Sequence, residues 1–199
     1  MTAAVIIDSG GANIASLRFA LGRLGCEATL TRDPAVIRDA SHVMLPGVGA
    51  AKDAMDRLRA ADLDVLIPTL RQPVLGICLG MQLLFEASEE GPADCLGVID
   101  DRVRALRAAP DRPIPHMGWN RVRPRRDCAL FEGVEDGAHF YFVHSYAARE
   151  SEHTVATASY GENFSAAVDK ANFFGTQFHP ERSGPAGARV LRNFLEMGQ

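Results

Sequence analysis

The stretch Pro73-Val74-Leu75-Gly76-Ile77-Cys78-Leu79-Gly80-Met81-Gln82 decides the fold. The apolar run at residues 73–77 predicts a buried strand, and residues 81–86 are predicted to be helical. Between them, Gly-x-Cys-x-Gly has the form of a nucleophile elbow, a tight strand-to-helix turn in which glycines permit close backbone approach. A buried strand followed by an elbow and a helix indicates an α/β sheet.

The rest of the first half repeats this alternation of strand and helix. Apolar runs predict strands at residues 4–7, 28–31 and 43–45, and periodic apolar positions predict helices at residues 14–24, from Asp33-Pro34 onward and through Met55 and Leu58. Such alternation implies right-handed βαβ crossovers and a parallel sheet covered on both faces.

The second half has strands without long helices between them, which indicates hairpins. The predicted strands are residues 103–106, 119–123, 139–146, 154–160, 164–168 and 173–178, followed by a last helix at 186–197. We therefore predict an α/β fold with an open, mostly parallel central sheet flanked by helices and additional antiparallel strands in the second half. A single domain is expected over residues 1–199.

Composition excludes several other classes of protein. The chain has 199 residues with 21 Lys+Arg and 25 Asp+Glu, a formal net charge of −4, so the basic surplus typical of nucleic-acid binders is absent. It contains no run of about 18 apolar residues that would predict a membrane span, and no secretion signal at its start. The four cysteines have no close spacing that predicts zinc ligands or a redox pair. We expect a cytoplasmic protein with no metal, no cofactor and no contact with nucleic acid or membrane.

Cys78 is the candidate nucleophile because it occupies the central position of the elbow. A thiol at the start of a helix is favoured as the reactive thiolate. A base is predicted at His179, directly after the strand at 173–178, and Glu181 is predicted to orient it. Pro180 favours extended backbone before it, which would place His179 and Glu181 on the same face.

An oxyanion hole is predicted from two loops at the carboxyl ends of strands. Leu79 follows the nucleophile and can donate its backbone N–H, and Gly47, Val48 and Gly49 offer a second exposed amide. Ligands of open α/β sheets bind at these strand ends. Together with Cys78, His179 and Glu181, these groups predict acyl transfer through a thioester.

With these motifs, the sequence resembles the class I, triad-type glutamine amidotransferases over nearly its whole length. Within that family it most resembles the glutaminase subunits of imidazole glycerol phosphate synthases. The motifs that carry the first resemblance are Gly76-Ile77-Cys78-Leu79-Gly80-Met81-Gln82, Pro46-Gly47-Val48-Gly49 and Gln177-Phe178-His179-Pro180-Glu181. Those that carry the second are Pro115-His116-Met117-Gly118-Trp119-Asn120, Tyr141-Phe142-Val143-His144-Ser145-Tyr146 and Asp8-Ser9-Gly10-Gly11-Ala12-Asn13.

The resemblance implies a reaction and a partner. Cys78 would attack the side-chain amide of L-glutamine, with His179 as acid and base, and the positions implied to hold the substrate are Gln82, Glu90, Ser145 and Tyr146. The ammonia would pass to a cyclase subunit, a (β/α)₈ barrel, in histidine biosynthesis. Positions implied to meet that subunit are Asn13, Tyr141 and Arg182, where many relatives carry Lys in place of Arg182.

Three other functions remain open from the sequence. The same chemistry would suit the glutaminase of an anthranilate or aminodeoxychorismate synthase, although the segment at residues 115–120 favours the first acceptor. A non-catalytic interaction domain on this fold is a second alternative, and the intact Cys78, His179 and Glu181 argue against it. A cysteine peptidase is a third, which Gln82 disfavours.

Overall fold

The structure, a computed structural model, describes residues 4–9, 14–125 and 127–198. Its strands are β1 (Ala4–Ile7), β2 (Ala28–Thr31), β3 (His42–Gly47), β4 (Val74–Cys78), β5 (Phe85–Ser88), β6 (Ala93–Asp94), β7 (Ile99–Ala105), β8 (His116–Arg121), β9 (Arg123–Pro124), β10 (His139–His144), β11 (Tyr146–Ala148), β12 (Thr154–Tyr160), β13 (Glu162–Lys170) and β14 (Phe173–Thr176). Its α-helices are α1 (Ile14–Arg23), α2 (Pro34–Asp39), α3 (Ala51–Arg59), α4 (Leu63–Leu66), α5 (Leu79–Gln82) and α6 (Gly184–Glu196), with 3₁₀ turns at Ile67–Thr69, Ala129–Phe131 and Pro180–Arg182.

An eight-stranded sheet organises the molecule, in the order β2-β1-β3-β4-β14-β13-β12-β9. The first five of these strands are parallel, and β13, β12 and β9 continue the sheet with antiparallel pairings. Because β3, β4 and β14 run in the same direction side by side, their carboxyl ends meet at one edge. There Gly47 is paired with Cys78, and Thr176 with Ile77.

Alternate residues of the central strands enter two separate cores, one on each face of the sheet. In β1, Ile6 packs with residues of α1 and α6, whereas Val5 and Ile7 pack with residues of α2 and α3. This pattern explains why the strand sequences are apolar throughout, since both faces of a covered parallel sheet are buried. The predicted fold class is confirmed.

Two smaller sheets lie outside the large one, and they combine antiparallel pairs with the parallel pair of β5 and β7. One is the pair β10-β8, and the other has the order β11-β7-β5-β6. The predicted strand at 139–146 is therefore wrong as one element: it divides at Ser145, whose carbonyl accepts from Leu106 N–H at 2.9 Å. The preceding part pairs with β8 and the following part with β7. This division leaves Ser145 in a corner between two sheets.

The predicted helix at residues 81–86 is also wrong, because α5 ends at Gln82 and Phe85 begins a strand. The carbonyls of Leu83 and Leu84 accept from the N–H groups of Leu96 and Ile99, at 2.9 and 2.8 Å, instead of continuing a helical ladder. Phe85 is fully buried in the core beneath α3. Long-range strand pairing thus overrides the local helical pattern. Among the described residues, no helix is long and apolar enough to cross a membrane.

Candidate active site

The elbow at the end of β4 places Cys78 in a backbone conformation that residues other than glycine rarely adopt. Its φ is 56° and its ψ is −112°, between the last strand position and the first turn of α5. Such conformations cost of order 1–3 kcal/mol and are concentrated at functional sites. The flanking glycines permit the turn: a Cβ on Gly76 would lie 2.6 Å from the Gly80 carbonyl oxygen, and a Cβ on Gly80 would overlap the Leu45 carbonyl.

Helix α5 is only four residues long, so its dipole contributes less to a thiolate than the sequence predicted. The nearby positive partner is His179, whose side chain interacts with Cys78. Burial opposes protonation of His179, but hydrogen bonds and charge interactions with Cys78 and Glu181 outweigh it and raise its pKa to about 10. His179 is therefore an imidazolium at neutral pH.

The predicted orienting group, Glu181, contacts His179 as expected but by a different backbone geometry. His179 is extended, whereas Pro180–Arg182 form a 3₁₀ turn, so the extended backbone predicted from Pro180 ends at His179. Glu181 Oε1 lies 2.8 Å from His179 Nδ1, and the two side chains are only 2% and 4% exposed. A carboxylate at Nδ1 directs Nε2 toward the nucleophile, which is the arrangement of a catalytic triad.

A second strand holds this pair in place. His179 N–H donates to the carbonyl of Tyr141 in β10 at 2.9 Å. The hydroxyl of Ser183 donates to the His179 carbonyl at 2.6 Å and accepts from Tyr141 N–H at 3.0 Å. The position of the base is therefore fixed by backbone bonds between the parallel sheet and β10.

Cys78 and His179 line a cavity of about 440 Å³, which is large enough for one amino acid and some solvent. The structure brings to this cavity all four residues predicted for the oxyanion hole and all four predicted to hold glutamine. Its lining is Gly47, Val48, Gly49, Cys78, Leu79, Gln82, Glu90, Pro115, Val143, His144, Ser145, Tyr146, His179 and Arg182. Glu181 lies behind His179 and is not among the lining residues.

The oxyanion loop continues directly from β3. Gly47 packs against the elbow so closely that a Cβ there would lie 2.9 Å from the Gly80 nitrogen. Gly49 has a φ of 86°, which turns the chain away after Val48 and toward α3. The loop and Leu79 thus line the same cavity as Cys78.

Gln82 is held by both of its amide hydrogens. Its Nε2 donates to the Tyr146 carbonyl and to Gln177 Oε1, each at 2.9 Å, and the side chain is buried. Because both N–H groups are engaged, Oε1 is the atom that Gln82 can offer to a ligand, as a hydrogen-bond acceptor. Gln177 belongs to the motif around His179, and no role for it follows from the sequence; its Nε2 lies 3.8 Å from Cys78 Sγ.

Glu90 reaches the cavity because the loop after β5 folds back. Its Oε2 accepts from the N–H of Ala51 at 3.3 Å, which also satisfies a free amide at the start of α3. Burial raises the pKa of the Glu90 carboxyl, while the Ala51 hydrogen bond opposes this. A half-buried carboxylate in the wall of the cavity complements an ammonium group of a ligand.

Two residues predicted to meet a partner contact each other beside the cavity. The guanidinium carbon of Arg182 lies 4.3 Å from the centre of the Tyr141 ring, and Trp119, which is 57% exposed, lies edge-on to the same ring at 6.1 Å. The third predicted residue, Asn13, lies outside the described residues. Trp119 and the partly exposed Tyr141 thus lie next to Arg182, which itself lines the cavity.

The remaining cysteines are buried or half-buried thiols. None of the four cysteines forms a disulfide, and burial raises the pKa of Cys26 and raises that of Cys95 to about 11. Cys95 is accordingly a neutral thiol at physiological pH. Among the described residues, no group of three or more His, Cys, Asp and Glu side chains is arranged to hold a metal ion.

Comparison with known proteins defines the class of this protein. The family model described as glutamine amidotransferase class-I matches residues 5–197. A crystal structure of a glutamine amidotransferase superposes with a TM-score of 0.75 at 20% identity, over 97% of each chain, which shows the shared fold. The chain belongs to the class I glutamine amidotransferase family and is an enzyme of that class, as its motifs predict.

More similar relatives narrow the comparison within the family. The imidazole glycerol phosphate synthase subunit HisH of Escherichia coli (strain K12) is 55% identical over 194 residues, which cover 97% of this chain and 98% of that protein. The subunit HisH of Xanthomonas axonopodis pv. citri (strain 306) is 53% identical over 197 residues, 99% of this chain and 98% of that protein.

Proposed function

We propose that this chain is the glutaminase subunit of an imidazole glycerol phosphate synthase. It hydrolyses L-glutamine to glutamate and ammonia and passes the ammonia to a cyclase subunit, which forms imidazole glycerol phosphate and aminoimidazole carboxamide ribonucleotide in histidine biosynthesis. The observation that carries the proposal is the elbow cysteine beside the His179–Glu181 pair, in a cavity that also presents Gln82 Oε1 and the Glu90 carboxylate. Full-length similarity to the HisH subunits supports this choice of synthase.

The first half of the reaction uses the positive charge on His179. The Cys78 thiolate attacks the side-chain carbonyl carbon of glutamine, and the resulting oxyanion accepts hydrogen bonds from the N–H of Leu79 and from the loop at Val48. His179 Nε2 then gives its proton to the departing amide nitrogen. The C–N bond breaks, ammonia leaves, and a glutamyl thioester remains on Cys78.

The second half restores the enzyme with one water molecule. Neutral His179 takes a proton from water as the oxygen attacks the thioester carbonyl, and the C–S bond breaks to release glutamate and the thiolate. Glu181 stabilises the imidazolium in both halves and is itself never the proton donor. No external oxidant or cofactor is required for either step.

The substrate is held by several groups that line the cavity. We assign the Glu90 carboxylate to the glutamine ammonium group, because a charged hydrogen bond in a half-buried site favours a cation. Gln82 Oε1 and the Ser145–Tyr146 corner bind the remaining polar groups. This division leaves the side-chain amide directed toward Cys78.

The partner would be a cyclase with a (β/α)₈ barrel, which we place against the surface formed by Trp119, Tyr141 and Arg182. Asn13 is proposed to contribute to the same contact. An aromatic surface that adjoins the cavity through Arg182 suits transfer of ammonia without release to solvent. Four cysteines that form no disulfide suit a reducing compartment, and we propose the cytoplasm.

The experiment is to measure glutamate release by this chain alone and with an imidazole glycerol phosphate synthase cyclase subunit loaded with its nucleotide substrate. We expect strong stimulation, with imidazole glycerol phosphate formed in proportion to glutamate. Cys78→Ala is the negative control. Stimulation by a chorismate-using synthase component in place of this cyclase would assign the chain to the other acceptor.

A further inference from the structure

Two buried histidines that the proposed reaction does not use lie beside the cavity. His116 in β8 is 4% exposed, and His144 at the end of β10 is 6% exposed and lines the cavity. His116 Nδ1 lies 2.9 Å from His144 Nε2. A hydrogen bond between two imidazoles requires one nitrogen to donate and the other to accept, so the pair has a direction.

Asn120, which contacts His116, fixes the direction of the hydrogen bond between the two rings. The Oδ1 of Asn120 accepts from the N–H of Arg121 at 2.8 Å, and its Nδ2 donates to the Ser159 carbonyl at 2.9 Å. These backbone partners fix which amide atom faces His116: Nδ2 lies 3.3 Å from His116 Nε2. His116 Nε2 must accept, so the proton of this ring is on Nδ1.

The Tyr146 carbonyl, which contacts His144, requires the same direction for this hydrogen bond. His144 Nδ1 lies 2.9 Å from the Tyr146 carbonyl oxygen, which can only accept. His144 therefore carries its proton on Nδ1 and accepts from His116 at Nε2. Only one arrangement satisfies every group from Asn120 to Tyr146, and in it both rings are neutral.

Burial favours the same neutral forms. It lowers the pKa of His116 to about 4 and that of His144 to about 3; for His144 the Tyr146 hydrogen bond opposes this effect, and the neighbouring His116 and His179 rings add to it. A protonated ring in either position would face a donor with a second N–H. Neutrality of His144 also avoids a second positive charge beside the His179 imidazolium.

The chain of hydrogen bonds continues from the histidines to the nucleophile. The Tyr146 carbonyl that accepts from His144 also accepts from Gln82, and Gln82 in turn donates to Gln177. The amide nitrogen of Gln177 lies 3.8 Å from Cys78 Sγ. The orientation of the Tyr146 peptide thus affects both the acceptor that Gln82 offers and the amide beside the nucleophile.

We propose that His116 is a positioning residue for glutamine hydrolysis: by donating to His144 it fixes the His144 tautomer, which holds the Tyr146 carbonyl and the Gln82 and Gln177 amides in place. The inference rests on the proposed function, because it assigns the pair to the glutamine site. Without the donor from His116, only the Tyr146 carbonyl favours the proton on Nδ1 of His144, and the tautomer with the proton on Nε2 becomes accessible. Its bare Nδ1 would then repel the Tyr146 carbonyl.

The first test reads the tautomers directly. Nitrogen NMR of the full-length protein labelled at histidine distinguishes protonated from bare ring nitrogens, and needs no catalytic activity. We expect the proton on Nδ1 of both His116 and His144 in the wild type near neutral pH. A proton on Nε2 of His144 would overturn the proposal.

The second test separates the hydrogen bond from the packing of the ring. His116 stacks on Tyr160 with centroids 4.1 Å apart and on Phe142 at 5.1 Å, so His116→Phe keeps a ring there and removes the donor. We expect the His144 tautomer to become mixed, KM for glutamine to rise roughly five-fold, and kcat to change less. His116→Asn places an N–H near the original Nδ1 and should restore both the tautomer and KM.

The matched control is His42→Phe, which removes another buried histidine, one bonded to the Met197 carbonyl and packed on Phe194. It should lower stability without changing KM. An unchanged KM in His116→Phe, or an equal rise in His42→Phe, would refute the positioning role while wild-type turnover still supports the glutaminase function. Absence of wild-type turnover, with and without the cyclase, would instead refute that function.

Discussion

The parallel and antiparallel regions of this molecule contribute different parts of the candidate site. The carboxyl ends of the parallel strands β3, β4 and β14 supply the oxyanion loop, Cys78 and the His179–Glu181 pair. The antiparallel strands β10 and β11 supply the corner at Ser145 and Tyr146 that binds Gln82. The chemistry is thus placed on short local motifs, whereas the substrate walls depend on contacts between distant segments. Substitutions in the first region should lower kcat, and those in the second should raise KM.

The largest effect is expected for Cys78→Ala. Without the sulfur no thioester forms, and turnover should fall by at least about 10⁴-fold. Glutamine binding should persist, because the walls of the cavity are unchanged. Steady-state glutamate release and calorimetric titration with glutamine measure the two quantities.

Cys95→Ala is the matched control for the nucleophile. Burial keeps the Cys95 thiol neutral, and the residue lies outside the cavity lining. Its replacement should leave turnover near the wild-type value. If Cys95→Ala lost turnover and Cys78→Ala kept it, the assignment of the nucleophile would be wrong.

A second large effect, on stability, is expected for Gly80→Ala. The added Cβ would overlap the Leu45 carbonyl of β3, and neither backbone can move without disturbing the sheet. We expect a loss of about 3 kcal/mol in the free energy of unfolding, measured by urea denaturation.

Gly22→Ala provides the contrast, since nothing lies within 4 Å of a Cβ there and Gly22 is within α1. Alanine in a helix is favoured over glycine by up to about 1 kcal/mol, so this variant should be more stable than the wild type. A similar loss in both variants would show that close packing of the elbow is not the cause.

The parallel region was predicted well from sequence because its determinants are local. Asp33 accepts from Ala35 N–H at 2.8 Å and caps α2 with Pro34 in its first turn, as the Asp-Pro pair predicts. The glycines around Cys78 likewise predict the turn between β4 and α5. Each of these signals lies within a few residues of the feature it determines.

The features outside the five parallel strands of the large sheet were predicted less well because they depend on distant partners. The strand at Phe85 is determined by pairing with Ile99, and Glu90 reaches the cavity through a bond to Ala51, 39 residues earlier. Nothing near His116 in the sequence predicts its bond to His144. One available signal was missed: Gln177 is a large polar residue beside Phe178 at the end of a predicted strand, and a buried polar side chain usually has a specific partner.

A smaller loss of turnover is expected for Glu181→Gln. Glutamine can still accept from His179 Nδ1, so the ring keeps its orientation, but the negative charge that stabilises the imidazolium is lost. We expect turnover to fall by about 10²-fold, less than for Cys78→Ala. Assays over a range of pH measure the effect.

The pH dependence of turnover tests whether Glu181 stabilises the positive charge on His179. In the wild type, protonated His179 is stabilised in the folded protein, and this contribution is lost as pH rises through about 10. Because Glu181 is one of the groups that raise this pKa, the alkaline limb should move to lower pH in Glu181→Gln. If the alkaline limb of the turnover profile stayed at the same pH in Glu181→Gln, Glu181 would not stabilise the positive charge on His179.

Glu90 is one of the residues proposed to bind glutamine. Glu90→Gln should raise KM for glutamine by about ten-fold and leave kcat nearly unchanged. The amide oxygen can still accept from Ala51, but the charge opposite the glutamine ammonium is gone. Because burial raises the pKa of Glu90, the wild-type KM should begin to rise on acidification at a higher pH than for an exposed glutamate. Glu86→Gln, at an exposed position of β5, should change neither parameter. A fall in kcat without a change in KM would place Glu90 in the chemistry instead.

The smallest effect is expected at the boundary of the two regions, for Arg182→Lys. The guanidinium stacks on the Tyr141 ring, joining the loop after β14 to β10, and a lysine ammonium keeps the charge but loses the flat stacking surface. Such contacts contribute about 0.5–1 kcal/mol at exposed sites, so affinity for the cyclase subunit should fall by only about two- to five-fold. Calorimetric titration with the cyclase measures this affinity. The matched control is Arg71→Lys, because Arg71 precedes β4 at the opposite edge of the sheet. If Arg71→Lys weakened the complex as much as Arg182→Lys, the cyclase would not dock on the Tyr141 surface.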